Sequence, residues 1–325
     1  MRRKRVKVDG GAYYHLVSRC ALKQYLLDED EKRVFVGMLR RVATFSGVEV
    51  LTHCVMSNHF HILVRVSPPR PLTEGELLSR VAILYGDARA KDMRIRWESY
   101  RKSKLTDLID SEQALLRQRM NDISPFMKTL KQRFTAWYAA HHKDHEGTLW
   151  QNRFSSTLVE GNGSLAAVAA YIDLNPVRAG IVPDPKDYAF SGYGAASMGD
   201  ADARKGLSGV YGNTSATYDK VLKAYRGLLY ARGAANLDPT TVRKVLSDKE
   251  KPSLPQLLRC KIRAMSHGLA IGSKEFTAGI FSSHRYAFSE NRRHPPLGTP
   301  LCPAWDGIQL CSVRTLCKNA ITAPA

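Results

Sequence analysis

One stretch of nine residues decides how this sequence is expected to fold: Met56-Ser57-Asn58-His59-Phe60-His61-Ile62-Leu63-Val64. Its Ser-Asn pair favours a turn, and the residues that follow alternate in polarity as a β-strand does. Because side chains alternate across a strand, His59 and His61 are expected on one face and the apolar residues between them on the other. One metal ion could then meet both imidazoles. The alternative is a pair of satisfied polar histidines on a half-buried strand.

The residues around this stretch predict a sheet. Aromatic and β-branched residues predict strands over 12–20, 48–56 and 157–160, in addition to the strand over 59–66. Apolar side chains spaced three and four apart predict an amphipathic helix over 28–45. A strand, a helix and a hairpin in that order predict an α+β fold, with an antiparallel sheet and helices on one face.

A second segment pairs a nucleophile with an amide. It runs Tyr171-Ile172-Asp173-Leu174-Asn175-Pro176-Val177-Arg178-Ala179-Gly180, at the end of a helix predicted over 165–174 that Pro176 must terminate. Tyr171 and Asn175 stand four residues apart and so share a helix face, beside an apolar stripe expected to pack on the sheet. The alternative reading is a packing tyrosine and a capping asparagine.

The composition favours a polyanionic partner. Lys and Arg outnumber Asp and Glu by 49 to 30, which gives the 325-residue chain a formal charge of +19. Nucleic acid is the commonest partner of such a chain, although a merely basic surface is the alternative. There is no run of about 18 apolar residues and no apolar segment behind the basic start, so neither a membrane partner nor an export signal is expected. Six cysteines without zinc-site spacing are interpreted as reduced cytosolic thiols. The expected location is cytoplasmic, with association to the nucleoid.

Composition shifts along the chain predict its domains. A catalytic domain is expected over 1–195, with a charged helical insertion over 68–123. Small residues predict a linker over 196–216, followed by a helical module over 217–290 and a loosely ordered tail over 291–325. Helices are predicted in the module at 217–231, 240–247, 254–265 and 273–281. Its basic residues suit a DNA-binding accessory, and a protein-contact module is the alternative.

Three blocks in order resemble a known family. They are the His-hydrophobe-His motif after Met-Ser-Asn, the stretch Gly147-Thr148-Leu149-Trp150-Gln151-Asn152-Arg153-Phe154, and the segment that begins at Tyr171. Together they resemble the single-tyrosine HUH transposases (IS200-like), and most closely the REP-associated tyrosine transposases, over residues 10–195. The sequence departs from the family in Asp173, where relatives often carry another polar residue, and in the length of the insertion.

The resemblance implies a ferredoxin-like or RRM-like core with Mg²⁺ or Mn²⁺ bound by His59, His61 and Asn175. Tyr171 would be the nucleophile, and it would leave a 5′-phosphotyrosine and a free 3′-hydroxyl. The implied partner is single-stranded DNA that carries hairpins or palindromic repeats. The implied oligomer is a homodimer, and a monomer is the alternative. Six basic residues are expected to contact this DNA: Arg2, Arg3, Lys4, Arg5, Arg153 and Arg178.

Two other functions remain open from the sequence. The chain is alternatively a catalytically silent DNA-binding regulator derived from a transposase, or a metal-dependent nuclease that hydrolyses DNA without a tyrosyl adduct. The presence of His59, His61 and Tyr171 together favours the strand transferase.

Overall fold

A computed structural model describes residues 5–8, 10–161, 163–212, 217–230, 258, 261–262, 265, 269–287, 311–312 and 321–322. Arg2, Arg3 and Lys4, the predicted helix 240–247 and nearly all of the predicted tail lie outside the described residues. None of the helices in the described part of the chain is long and apolar enough to cross a membrane.

Strands and helices alternate at the start of the chain, and helices dominate its middle. The strands are β1 Ala12–Arg19, β2 Val48–Val55, β3 His59–Val66, β4 Ser155–Val159, β5 Lys261–Ile262, β6 Ala270–Gly272, β7 Cys311–Ser312 and β8 Ile321–Thr322. The α-helices are α1 Glu29–Ser46, α2 Glu74–Tyr85, α3 Asp87–Lys102, α4 Thr106–Arg117, α5 Ile123–His141, α6 Gly163–Asp173, α7 Asn175–Arg178, α8 Gly192–Ser197, α9 Ala201–Val210, α10 Tyr218–Tyr230 and α11 Lys274–Ser283.

The main sheet has six strands in the order β2-β3-β1-β4-β6-β7. Its first four strands have the order of a ferredoxin-like sheet, in which β3 lies between β2 and β1. β1 and β4 are antiparallel, with His15 opposite Thr157. β6 joins β4 in parallel, so the sheet is mixed at that edge. The predicted α+β class is confirmed, and the histidine strand β3 occupies a central position.

The chain forms two compact units. The first comprises residues 1–27, 51–64 and 150–325, so the predicted boundary between 195 and 196 falls inside it. Its core surrounds α6, whose residues from 164 to 173 are all buried. Leu63 of β3 and Val159 of β4 share this core with α6, and α8, α9 and α10 contact the helix. The stripe predicted to pack on the sheet is thus part of one continuous core.

The second unit comprises residues 28–50 and 65–149. In it α1 packs against α5 and α2, with the rings of Phe35 and Phe134 5.1 Å apart. Asp28 and Glu31 form a capping box at the start of α1, which satisfies backbone N–H groups that a helix leaves unpaired. The residues predicted as a helical insertion, 68–123, contain α2, α3 and α4.

Two predictions about the second half of the chain were wrong. The linker predicted over 196–216 contains α9, which packs against α8 and in which Gly206 and Gly209 are buried. Small residues here are packing residues. Most of the helix predicted over 254–265 lies outside the described residues, but Lys261 and Ile262 within that range form β5. This strand pairs with β8 about sixty positions later, a contact that local periodicity does not reveal.

Candidate active site

The two histidines of the motif lie where the alternation predicts. The turn before β3 is closed by the backbone N–H of Met56, which donates to the carbonyl of His59 at 2.8 Å. The ring centroids of His59 and His61 are 5.1 Å apart. Phe60, on the opposite face, is fully buried and packs its ring 5.5 Å from that of Trp150. The apolar face therefore anchors the strand and leaves the other face to the histidine pair.

A neighbouring asparagine orients His59. The Nδ1 atom of His59 lies 2.6 Å from Oδ1 of Asn58. The amide nitrogen of Asn58 donates to the carbonyl of Lys23 at 3.4 Å, which directs its oxygen towards the histidine. Because an amide oxygen only accepts, Nδ1 of His59 carries the proton and Nε2 carries the lone pair. A lone pair on Nε2 is what a metal ligand requires.

His61 is held by a third histidine that the sequence reading missed. Nδ1 of His61 lies 2.8 Å from Nε2 of His15 on β1, and the two rings stack with centroids 5.0 Å apart. Nδ1 of His15 lies 2.6 Å from the carbonyl oxygen of Met265. His15 and His61 are 1% and 3% exposed. Alternation of side chains along β1 indicates which face of that strand His15 occupies, but the sequence does not show that β1 lies beside β3.

The surroundings of His61 keep it neutral. Burial lowers the pKa of His61 well below its ordinary value, and the neighbouring basic groups of His15, His59, Arg178 and Arg19 lower it further. A neutral imidazole is the form that binds a metal ion. The electrostatics of the site thus favour ligation over protonation at neutral pH.

Tyr171 lies beside this histidine group. It is on α6, and its ring centroid is 6.5 Å from that of His61 and 6.5 Å from that of His15. The guanidinium carbon of Arg178 lies 3.9 Å from the centroid of the tyrosine ring. The side chain is 2% exposed. The structure therefore brings the sequence-predicted nucleophile next to the two sequence-predicted histidines, in a buried setting.

Asn175 and the helix end explain how this tyrosine is fixed. α6 ends at Asp173, and Asn175 opens the short helix α7, where Pro176 is well tolerated. The side-chain nitrogen of Asn175 donates to the carbonyls of Ile172 at 3.0 Å and Tyr171 at 3.4 Å. The amide engages the helix backbone in this structure through its nitrogen, and its oxygen is the atom that could serve a metal.

Asp173 ties the same helix end to the core. Its carboxylate accepts hydrogen bonds from the Thr52 hydroxyl at 2.9 and 3.0 Å, the Tyr225 hydroxyl at 2.5 Å and the Tyr193 backbone N–H at 3.1 Å. Burial raises the pKa of Asp173 to about 7, against the opposing effect of these donors. Asp173, which departs from the pattern of the family that the sequence resembles, thus has its own hydrogen-bond donors in this structure.

Arg178 differs from its predicted role. It is 6% exposed, and its two terminal nitrogens donate to the carbonyls of Leu258 at 2.8 Å and Tyr171 at 2.7 Å. A buried guanidinium with these partners positions the Tyr171 ring rather than offering a surface contact to phosphate. The phosphate contact predicted for Arg178 therefore disagrees with its burial.

The other basic candidates are separate from this cluster. Arg153 is exposed, and the guanidinium of Arg5 lies 3.8 Å from the centroid of the Phe154 ring. Arg19 was not singled out from the sequence, although it shares a face of β1 with His15. The Nε atom of Arg19 is buried and has no hydrogen-bond partner among the described residues. Its charge is felt by His61.

The donor set suits a weakly held divalent cation. Among the residues that the structure describes, no group of three His, Cys, Asp or Glu side chains is placed to hold a metal ion. His59 and His61 supply two neutral imidazoles, so further ligands would be oxygens from Asn175, water or phosphate. Oxygen ligands suit Mg²⁺ and Mn²⁺, and imidazole by itself would also suit zinc.

One family model and two solved structures are similar to parts of this chain. Residues 10–74 match the family model described as transposase IS200 like. No curated protein matches the chain. A solved structure of a REP-associated tyrosine transposase bound to a REP hairpin is 15% identical, covers 61% of this chain and 87% of its own, and has a TM-score of 0.40. A putative transposase from Deinococcus radiodurans R1 is 16% identical, covers 48% of this chain and 84% of its own, and has a TM-score of 0.25. Residues 10–74, which include β3 and its histidine pair, thus carry the sequence pattern of the IS200-like transposases.

Proposed function

We propose that this protein is a transposase that cleaves and rejoins single-stranded DNA next to hairpins or palindromic repeats, through a covalent 5′-phosphotyrosine. The observation that carries the proposal is the position of Tyr171, with its ring 6.5 Å from that of His61 and with His59 beside it. The family match over residues 10–74 supports the class of reaction.

The reaction is a transesterification at phosphorus. The Tyr171 oxygen attacks the scissile phosphate and gives up its proton, the P–O3′ bond breaks, and the departing 3′ oxygen takes a proton to become a hydroxyl. The downstream strand stays attached to the enzyme through its 5′ phosphate. Attack by a 3′-hydroxyl on that phosphotyrosine reverses the step. The phosphodiester energy is conserved, so no nucleotide cofactor is consumed.

The residues around Tyr171 would bind the metal ion and position the tyrosine ring. His59, His61 and the Asn175 oxygen would hold Mg²⁺ or Mn²⁺, which when bound supplies a Lewis acid for the phosphate oxygens. Arg178 keeps the tyrosine ring in place through its stacked guanidinium. Because Tyr171 is 2% exposed, the side chains that cover it must move before a phosphodiester reaches its hydroxyl. DNA binding would supply the energy for that movement.

DNA recognition would depend on basic residues outside the buried cluster. Arg153 is exposed, and Arg5 begins the described part of the basic arm, which also includes Arg2, Arg3 and Lys4. Phosphate contacts of this kind position a nucleic acid without reading its sequence. A hairpin beside the cleaved strand would add recognition by shape. The net charge of +19 agrees with a polyanionic partner.

Tyr171→Phe tests the proposal because it removes one oxygen and keeps the ring. The variant should fold and bind hairpin DNA as the wild type does, yet cleave nothing. Wild-type protein incubated with DNA labelled on the 3′ side of the cut should carry that label through a denaturing gel, and the variant should not. Label on the 5′ side should transfer to neither. Tyr138→Phe, a buried tyrosine on α5, is the matched control and should keep full label transfer.

The same assay separates the alternatives. Cleavage by Tyr171→Phe at a comparable rate would mean that water or another tyrosine attacks, and a hydrolytic nuclease would then be the better description. Hairpin binding without cleavage or label transfer by the wild type, in the presence of Mg²⁺ or Mn²⁺, would instead identify a silent DNA-binding regulator.

A further inference from the structure

Two buried hydrogen bonds link the backbone of Met265 to the motif histidine His61 through His15. The first, between Nδ1 of His15 and the Met265 carbonyl, measures 2.6 Å, and the second, between Nε2 of His15 and Nδ1 of His61, measures 2.8 Å. Neither the His-hydrophobe-His motif nor the tyrosine segment includes His15. A buried histidine with both ring nitrogens engaged has a defined arrangement of protons.

The direction of both bonds follows from the carbonyl. A carbonyl oxygen only accepts, so Nδ1 of His15 must carry a proton. In neutral His15 the lone pair is then on Nε2, which accepts a hydrogen bond from the Nδ1–H group of His61. A His61 ring with a single proton consequently carries it on Nδ1 and has its own lone pair on Nε2. The chain of bonds therefore selects one of the two tautomers of His61.

The other motif histidine has the same arrangement from a different partner. Nδ1 of His59 lies 2.6 Å from the Asn58 oxygen, which only accepts. Both motif histidines thus carry their proton on Nδ1 and present Nε2. Two independent partners that impose the same tautomer on two neighbouring rings are what a two-imidazole metal site needs.

We propose that His15 is a positioning residue, which holds His61 with its proton on Nδ1 so that Nε2 faces a bound cation. The inference rests on the metal site of the proposed function. Because Met265 is the hydrogen-bond partner of His15, the C-terminal part of the chain also contributes to the site. Loss of an outer partner of a metal-bound histidine typically weakens metal affinity by about 10- to 100-fold.

The first experiment reads the tautomer in the full-length, metal-free protein. With ¹⁵N-labelled histidine, nitrogen chemical shifts and couplings distinguish a protonated Nδ1 from a protonated Nε2. We expect wild-type His61 to be protonated on Nδ1 and His15→Leu to lose that preference. His15→Gln should retain it, because the glutamine oxygen comes close to the position of Nε2. A wild-type His61 that is protonated on Nε2 would overturn the proposal.

The second experiment measures Mn²⁺ affinity by electron paramagnetic resonance and calorimetry. His15→Gln should bind within about threefold of the wild type, whereas His15→Asn, whose amide reaches only the position of Nδ1, should bind about 10-fold or more weakly. These two variants are matched in chemistry, so the comparison holds even if His15→Leu fails to fold. Equal affinities in His15→Asn and wild type would overturn the positioning role.

His61→Ala separates this inference from the metal site itself. If His61→Ala binds Mn²⁺ more weakly but His15→Asn binds normally, the metal site stands and the role of His15 is wrong. If His61→Ala binds Mn²⁺ as the wild type does, the metal site of the proposed function is wrong, and the inference about His15 fails with it.

Discussion

His59 and His61 share a strand face but differ in their surroundings, since His59 is partly exposed and His61 is 3% exposed. Their imidazoles and the Asn175 amide are neutral, so a bound cation should exchange freely. We expect EDTA to abolish cleavage of a hairpin-bearing single strand and millimolar Mg²⁺ or Mn²⁺ to restore it. His59→Ala and His61→Ala should each resemble permanent EDTA treatment. Cleavage that persists in EDTA and in both variants would contradict the metal assignment.

Asp173 gives a prediction about stability and pH. Its pKa is about 7 in the folded protein and about 3.9 in an unfolded chain, so the folded state holds the proton over that interval. The free energy of unfolding should therefore fall as pH rises from about 4 to about 7, and this contribution should stay constant above that. The full effect is on the order of 4 kcal/mol.

The measurement for Asp173 is a difference between two proteins, because other groups also titrate. Denaturant unfolding gives the stability of wild type and of Asp173→Asn across pH 4 to 9. The difference between the two stabilities cancels the contributions of the other titrating groups. The stability of the wild type relative to the variant should decrease between about pH 4 and 7. A difference that does not change with pH would show that the carboxyl titrates normally despite its burial.

At the scale of elements, local patterns in the sequence were sufficient where one face of an element meets the core. The alternation after Asn58 predicted β3 with its observed bounds, and the apolar spacing predicted over 28–45 matches α1 within one residue at each end. Both signals depend only on which residues of one segment face inward. The shared position of His59 and His61 follows from the same rule.

The contacts that complete the site could not be predicted in this way. His15 and Met265 are 250 positions apart. Their hydrogen bond involves a backbone carbonyl, a group that every residue has, so no residue type in the sequence indicates it. The segment around α9 has a linker-like composition, yet it forms a helix in which Gly206 and Gly209 are buried. Sequence spacing thus singled out candidate site residues, and tertiary structure determines which partners contact them.

One contact between elements attaches α11 to the end of β4. The Glu160 carboxylate accepts from the backbone N–H and the hydroxyl of Ser273, and the same hydroxyl accepts from the Phe276 N–H at the start of α11. Glu160→Ala should destabilise the protein by about 1–3 kcal/mol, because the partly buried backbone N–H of Ser273 loses its partner. Glu275→Ala, an exposed change in the first turn of α11, is the control and should cost only a few tenths of a kcal/mol. Denaturant unfolding measures both, and equal effects would show that the Glu160 contact adds nothing.

At the scale of the whole molecule, residues that follow position 195 contact residues of the site predicted within 1–195. Tyr225 donates to Asp173, the Leu258 carbonyl holds Arg178, and the Met265 carbonyl holds His15. β6 adds a strand to the main sheet beside β4. Tyr225, Leu258, Met265 and β6 all follow position 195, where the sequence predicted the end of the catalytic domain. The compact unit that contains Tyr171 therefore draws on both halves.

Truncation tests this dependence. A protein that ends at residue 195 loses Tyr225, Leu258 and Met265, which are partners of Asp173, Arg178 and His15 respectively. It should therefore unfold at lower denaturant concentration and lose cleavage and label transfer. A protein that ends at Ala287 keeps those partners together with β6 and α11, and loses the short strands β7 and β8. It should retain most of its cleavage. Circular dichroism during unfolding and the tyrosyl-label assay compare both with the full chain. If the shorter protein folds and cleaves as the full chain does, residues 1–195 are an independent catalytic domain and the C-terminal carbonyls are not needed to set the histidines.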